Sequence, residues 1–430
     1  MIATTARERD DSSVGAMSRA LLMSLLHQQL RRAPEAIHNS CRVAHSSKRI
    51  VRGIQNSAVA LDVMAESHAR PRIVFSGIQP TGIPHLGNLL GALFNWVKLQ
   101  REAAPEDKLI YSIVGWHALT LPQDPKALSA ARSDMLAVLL AVGLDPERSI
   151  IFHQDDNLHH AELAWILNCL TPMGKLKRMT TWKVRVIPLH ALAKLLTLLK
   201  SRLAASRNAR DDSEVDESLL NAGLFTYPVL QAADILAYRA THVPVGEDQQ
   251  QHIELCRDLA EIFNRTFKAK RPLFPLPQHV VTTSCRVLSL KDPSSKMSKS
   301  SPDLNSRILL TDTPAQVHSK IRGAVTDSQM GITYDPIERP GAANLLNILA
   351  ACTGEEVTAV AERYADKGHG QLKADVAEAV EELIKRPRAE FERLREEKAY
   401  LAAVAKEGAE KAQKLTEVTM REIRTRIGLV

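Results

Sequence analysis

The stretch Arg72–Gly91, RIVFSGIQPTGIPHLGNLLG, restricts the fold more than any other part of the chain. Ile73-Val74-Phe75 reads as a buried strand, and Ser76-Gly77 ends it. Pro80, Gly82 and Pro84 then force a tight irregular loop, because proline fixes φ and glycine frees it. His85-Leu86-Gly87-Asn88 opens a helix that continues through Leu89, Leu90, Leu93, Phe94 and Val97. A helix start presents unpaired N–H groups and the positive end of the helix dipole, so it suits a phosphate. Gly87 removes the side chain that would hold a nucleotide off the helix. His85 and Asn88, three residues apart on one face, add neutral donors.

The same texture continues downstream. Leu109–Val114 reads as a second buried strand with His117 at its carboxyl end. Pro125–Val142 reads as a helix stopped by Gly143, Ser149–Phe152 as a third strand, and Glu162–Cys169 as a helix. Strands alternating with helices predict a doubly wound parallel α/β sheet, with ligands at the carboxyl edge. In FTYPVLQAADILAYRATHVPVGEDQQ (Phe225–Gln250) a helix over Ala232–Tyr238 brings Tyr227, Gln231 and Asp234 near one another. Asp234 stands in an apolar helix, which is expensive unless the carboxylate has a partner. His242–Val245 is a strand running into Gly246-Glu247-Asp248-Gln249, where the glycine lets a ligand approach the backbone. His252–Arg265 is a helix.

Two segments read as basic loops. Met173–Lys183 carries Lys175, Lys177, Arg178 and Lys183. Val287–Ser300, VLSLKDPSSKMSKS, sets Lys291, Lys296 and Lys299 among serines and Pro293, and reads as a mobile loop without apolar anchoring. Its lysines suit phosphate as point charges, although a solvated surface loop has the same composition. From about Asp312 the chain turns to Ala/Glu/Lys/Arg-rich helical segments punctuated by Gly323, Gly331, Pro340-Gly341, Gly354 and Pro387, which predicts an all-α domain over 312–430.

The 430 residues suffice for two domains. A net charge of +7 permits a nucleic-acid partner without demanding one. The five cysteines are far apart, with no C-x-x-C, so neither a disulfide framework nor a zinc site is expected. No apolar run is long enough to predict a membrane span. Residues 1–70 do not read as a folded domain. Between Met17 and Leu61 Glu35 is the one acid, set against Arg19, Arg31, Arg32, Arg42, Lys48, Arg49 and Arg52, and Leu21, Leu22, Leu25, Leu26 and Leu30 share a helix side. That is the composition of a cleavable organellar transit peptide, with Met17 as the start of the targeting signal. Val184–Lys200, VRVIPLHALAKLLTLLK, interrupts two polar loop segments that read as continuous without it. It corresponds to 51 nucleotides, a multiple of three, and its Val-Arg start can be encoded by a splice-donor-like sequence. A retained intron or a gene-model error, rather than an evolved element, is the expectation.

PTGIPHLGN resembles the first signature of class I aminoacyl-tRNA synthetases, and KMSKS at Lys296–Ser300 matches the second in full. SGIQPTG, AADILAY, VPVGEDQQQHIELCRDLAEIFN and AVTDS (Ala324–Ser328) are similar to bacterial and organellar tryptophanyl-tRNA synthetases in particular. The match runs from about Arg72 to near the C-terminus, interrupted by Val184–Lys200. The resemblance implies a Rossmann-like catalytic domain (71–311), an all-α domain (312–430) that binds the anticodon, and a homodimer, while the transit-peptide composition of the N-terminus implies a mitochondrial-matrix location. It implies that ATP with Mg²⁺ activates tryptophan, which is then transferred to tRNA(Trp), with no metal held by the protein itself.

By motif, Gln79, Gly87, Asn88, Gly246, Glu247, Asp248, Val287, Lys296, Met297, Ser298, Lys299 and Ser300 would surround ATP. His85, Asn88, Lys296 and Lys299 would carry the catalysis. Asp234 would accept the indole N–H, with Tyr227, Gln231, Phe75, Gly77, His117 and Gln249 around the amino acid. Lys183 and Arg202 would belong to a loop near the phosphates. Three departures stand out. Asn88 replaces the usual His, Gly115-Trp116 stands where the family often has an acidic residue, and Val184–Lys200 interrupts the phosphate-side loop. The rival readings are a tyrosyl-tRNA synthetase, which shares the signatures, and a catalytically silent RNA-binding relative.

Overall fold

The structure, a computed structural model, describes residues 71–179, 221–246, 249–281, 286–299 and 301–430. The expected targeting segment 1–70, the segment Val184–Lys200, and Lys183, Arg202, Glu247, Asp248 and Ser300 lie outside the described residues.

Among the described residues five strands form one sheet: β1 (Ile73–Ile78), β2 (Lys108–Ile113), β3 (Ile150–His153), β4 (His242–Val245) and β5 (Gln278–Val281). Their order is β3-β2-β1-β4-β5 and every pairing is parallel. The order reverses between β1 and β4, the place where a doubly wound sheet opens a crevice at the carboxyl ends of its strands. The predicted Rossmann-like α/β architecture is therefore present, with β5 added to it.

Strand periodicity splits the core in two. Val74, Leu109, Tyr111 and Ile151 point to one face, and their neighbours Phe75, Ile110 and Phe152 to the other. On the first face pack α1 (Leu86–Asn88, a π-helical turn Leu89–Leu93, then Phe94–Glu102) and α3 (Pro125–Ala141). Between them in the chain lies the short α2 (Gly115–Ala118). The π turn departs from the expected uninterrupted helix. Asn95 Nδ2 donates to Gly91 O at 3.2 Å inside that widened turn, supplying a donor to a carbonyl there. On the second face pack α4 (His159–Leu170), α5 (Met173–Arg178), α6 (Ala222–Leu236) and α7 (Gln250–Thr266). The stretch from Met173 is thus helical where a loop was expected, because Leu176 buries against this core.

Beyond Asp312 the regular elements among the described residues are all helices: α8 (Pro314–Arg322), α9 (Pro340–Thr353), α10 (Val357–Arg363), α11 (His369–Glu396) and α12 (Lys398–Ile427). Pro387 was expected to separate two helices, yet it lies inside α11. An interior proline costs about 3 kcal/mol. The buried Val380, Ile384, Phe391 and Leu394 on both sides of it hold the helix together. These helices share cores with the sheet. Leu401, Val404 and Ala405 of α12 belong to the first core, whereas Ala409, Ala412, Met420 and Ile423 belong to the second. α12 therefore passes from one face to the other along the edge strand β3, which covers an otherwise open edge. Among the described residues no helix is long and apolar enough to cross a membrane.

Candidate functional site

A cavity of about 190 Å³ opens at the carboxyl ends of β1 and β4. Phe75, Gly77, His117, Tyr227, Gln231, Asp234 and Gln249 all line it, as the resemblance implied for an amino-acid pocket. Gln79, assigned to the nucleotide by motif, lines it too, together with Ser76, Val114, Ile235, Val243 and Val245. Gly77 is required here, because a Cβ would stand 2.9 Å from Val114 Cγ1.

Asp234 is not the lone carboxylate that the sequence suggested. Gln154 Nε2 donates to Oδ1 at 2.7 Å, His160 Nδ1 lies 2.7 Å from Oδ1, and His117 Nε2 lies 2.8 Å from Oδ2. Burial alone would push its carboxyl up, but the two histidines outweigh that and hold it at about 2. Asp234 is ionised at neutral pH, so the facing ring nitrogens donate. A carboxylate has about four lone-pair sites, and three are used. One acceptor position remains for a donor in the cavity.

His252, which the sequence reading passed over, organises the opposite wall. Its Nδ1 lies 2.8 Å from both Gln231 Oε1 and Gln249 Oε1, and its Nε2 lies 3.3 Å from Tyr227 Oη. Gln154 and His160 carried one sequence signal: a costly Asp234 needed partners, and a cluster of Gln and His follows β3, whereas His252 on α7 carried none. Gly115 opens α2 beside this network. A Cβ there would stand 2.5 Å from Asp155 Oδ1, so the space beside Gly115 is filled by a carboxylate from another strand end, paired with Arg132.

A second group of polar residues adjoins the cavity through the Gln79–Pro84 loop. His85 caps α1: its Nδ1 accepts the Asn88 N–H at 3.3 Å, and Asn88 Oδ1 accepts the His85 N–H at 3.2 Å. This fixes the imidazole proton on Nε2, which leaves that nitrogen as a donor. Burial and the nearby Lys299, Lys296 and Arg307 lower His85 to about 4, so it is neutral at pH 7. Gly87 leaves room for this cap, since a Cβ would lie 3.1 Å from His85 Cε1 and 3.5 Å from Val287 Cβ. Arg307 is a cation that motif reading missed. It is buried, and its Nη1 donates to Ser301 O at 2.8 Å.

The lysine segment is anchored, against expectation. Val287, Leu290 and Met297 are buried in the first core, and Leu288 pairs with Lys296 across an antiparallel bridge. Asn344 of α9 clamps its base, accepting the Leu288 N–H at 2.8 Å and donating back to Leu288 O at 3.2 Å. Ser298 is half-buried and Lys296 exposed on the turn. Lys299 reaches across to the first loop, where Nζ donates to Gly82 O at 2.7 Å. Burial lowers Lys299 to about 8. Gly246 ends β4 and accepts the Gln249 N–H at 3.0 Å. One face therefore offers a neutral imidazole donor, lysines and a helix start, beside a slot floored by a carboxylate. That arrangement suits a polyphosphate next to an aromatic amine donor.

Comparison with known proteins fits this chemistry. Residues 67–385 match the family described as tRNA synthetases class I (W and Y). The mitochondrial tryptophan–tRNA ligase of Schizosaccharomyces pombe is 43% identical over 360 residues, which cover 83% of this chain and 95% of that protein. The structure is similar to the tryptophanyl-tRNA synthetase of Mycoplasma pneumoniae, with a TM-score of 0.70 and 31% identity over 84% of this chain and 99% of that one. It is also similar to the Campylobacter jejuni tryptophanyl-tRNA synthetase complexed with ADP and tryptophan, with a TM-score of 0.63 and 30% identity over 83% and 100%.

Proposed function

Because the chain belongs to the class I tRNA synthetases of tryptophan and tyrosine, and within them to the tryptophan–tRNA ligases, we propose that its cavity holds tryptophan and its cationic face holds ATP. The enzyme activates tryptophan with ATP to tryptophanyl-AMP and transfers it to tRNA(Trp). The observation that carries the site assignment is Asp234: ionised, buried, and left with one free acceptor position on a cavity wall. An indole has one donor and no acceptor, which is the complement.

In this reading the tryptophan carboxylate attacks the α-phosphorus of ATP and pyrophosphate leaves. His85 Nε2–H donates to a phosphate oxygen, aided by the N-terminus of α1. Lys296 and Lys299 meet the charge that grows on the pyrophosphate, and Mg²⁺ arrives with the triphosphate as part of the substrate. No side chain bonds covalently to the substrate; the site works by placement and by charge aimed at the leaving group. Asn88 contributes through the cap and its amide N–H₂, and Gly246 through its backbone. Glu247, Asp248 and Ser300 join the nucleotide side by motif.

The helices from Asp312 onward bind the anticodon end of the tRNA. Residues 1–70 direct the chain to the mitochondrial matrix, in keeping with the mitochondrial relative. The active form is a homodimer; the exposed Leu158, Trp165 and Met173 on and beside α4 support an interface.

ATP–pyrophosphate exchange, run with tryptophan and with tyrosine on the full chain and on one lacking Val184–Lys200, tests the reading. Exchange with tryptophan alone is expected, and it strengthens when the segment is removed. Exchange with tyrosine alone overturns the pocket assignment.

A further inference from the structure

The Asp234 carboxylate is the end of a longer buried chain of polar groups. His160 Nε2 lies 2.8 Å from Tyr238 Oη. Asn157 Nδ2 donates to Tyr238 Oη at 3.1 Å and to Thr416 Oγ1 at 3.0 Å. Thr416 belongs to α12, the last helix, and its Oγ1 lies 2.8 Å from His159 Nδ1. His159 Nε2 ends the chain 3.1 Å from Glu417. His160, Asn157 and Thr416 are fully buried, so water does not substitute for these three.

The bond directions start from two groups that can act in one way only, a backbone N–H and an amide N–H₂. The His159 backbone N–H donates to Asn157 Oδ1 at 3.3 Å, which turns the Asn157 amide N–H₂ toward Tyr238 and Thr416. The phenol oxygen, accepting from Asn157, sends its own proton to His160 Nε2. His160 Nε2 faces that phenol, and its Nδ1 donates to Asp234. At the far end His159 Nε2 faces Glu417 and its Nδ1 faces the Thr416 hydroxyl, which also lies within reach of Ala412 O at 3.2 Å and Gln413 O at 3.1 Å.

We infer that Asn157 and Thr416 are positioning residues for recognition of the substrate N–H: they set the donor directions that keep the last acceptor position of Asp234 turned to the cavity. The inference rests on the reading that Asp234 receives the indole N–H. Its content is that a specificity element for the pocket sits on α12, 259 residues along the chain from Asn157. Gln154 and His117 contact Asp234 directly; the relay acts on it through Tyr238 and His160.

The test compares tryptophan with β-(1-benzothiophen-3-yl)alanine, an isostere with sulfur in place of the N–H. KM for tryptophan and Ki for the isostere are measured by pyrophosphate exchange. Asn157→Asp, which presents an acceptor to Tyr238 and reverses its proton, is expected to raise KM for tryptophan about tenfold. Ki for the isostere should change less than about twofold, and kcat should hardly move. Thr416→Val should act in the same direction more weakly, and Thr416→Ser should restore the parent values. Equal weakening of both ligands, or no change in either, overturns the inference. Asp234→Asn separates the two levels. If Asp234→Asn itself fails to discriminate the ligands, the pocket reading falls. If it discriminates and the Asn157 and Thr416 variants do not, the relay alone falls.

Discussion

His117 Nε2 and Asp234 Oδ2 stand 2.8 Å apart, brought together from the short α2 that follows β2 and the last turn of α6. The pair closes the floor of the cavity and, with His160 and Gln154, compensates a carboxylate that burial alone would neutralise. The fold and the recognition proposed for the cavity therefore rest on the same charge.

Asp234→Ala should accordingly fail on two separate readouts. KM for tryptophan is expected to rise on the order of 10- to 100-fold, because a substrate donor loses a charged, buried acceptor. Unfolding free energy in urea should drop on the order of 3 kcal/mol, since two histidines and a glutamine are left facing nothing. An unchanged KM would remove Asp234 from the pocket whatever the stability does.

Lys299 gives a prediction on the alkaline side. Burial lowers its ammonium to about 8, so the free enzyme loses that charge as pH rises through this value. kcat/KM for ATP, which reports groups of the free enzyme, should fall above about pH 8. Lys299→Arg should abolish that limb, because a guanidinium keeps its proton throughout the range. Lys299→Ala should lower kcat of activation more than it raises KM for ATP, since the charge it meets appears at the transition state. A limb that persists unchanged in Lys299→Arg belongs to another group.

On the acid side the matter is stability. His85 and His153 are both lowered to about 4, His85 by burial and three cations, His153 by burial and Arg132. Between that value and the ordinary histidine range the unfolded chain binds protons that the native one does not. Stability therefore rises with pH across this window and is lost as pH falls through it. Each histidine contributes roughly 3 kcal/mol at neutral pH. Urea midpoints should fall steeply from pH 7 to pH 5, and His153→Gln should flatten the slope. A midpoint independent of pH in this range would mean that neither ring is held neutral.

What the sequence revealed and what it hid divide along physical lines. β1, β2 and β4 announced themselves as apolar runs beside glycine or proline, and the Pro/Gly loop with its helix start marked the ligand edge. β5 did not, because Gln278-His279-Val280-Val281 carries half of its residues as polar groups. The lysine segment looked unanchored because Val287, Leu290 and Met297 are too sparse to form a pattern, although each is buried. Pro387 read as a break because local rules outweigh tertiary packing when only the chain is visible. The slot residues of α6 were legible from helical spacing around one costly carboxylate. Its partners were not, since Gln154 lies 80 positions away and His117 lies 117 away.

Gly408 provides the sharpest test of how α12 is seated. It lies where the helix passes from one core to the other, and a Cβ on it would stand 1.8 Å from Ile151 O and 2.8 Å from Ile151 C. Those are backbone atoms of the edge strand, so they cannot swing aside as a side-chain tip would. On an isolated helix, replacing glycine by alanine stabilises by about 1 kcal/mol. Here Gly408→Ala must push α12 off β3, and overpacking of this kind costs about 1–3 kcal/mol or more. The overlap is with backbone, so the second effect wins: the urea midpoint should fall with the denaturant slope unchanged. Thr416 lies eight residues further on, about 12 Å along the same helix. A helix lifted at Gly408 carries Thr416 away from Asn157, so Gly408→Ala should also reproduce, in weaker form, the selective loss of tryptophan expected for Thr416→Val. A Gly408→Ala protein as stable as the parent would mean that α12 does not ride on Ile151, and the route from the last helix to the pocket would lose its support.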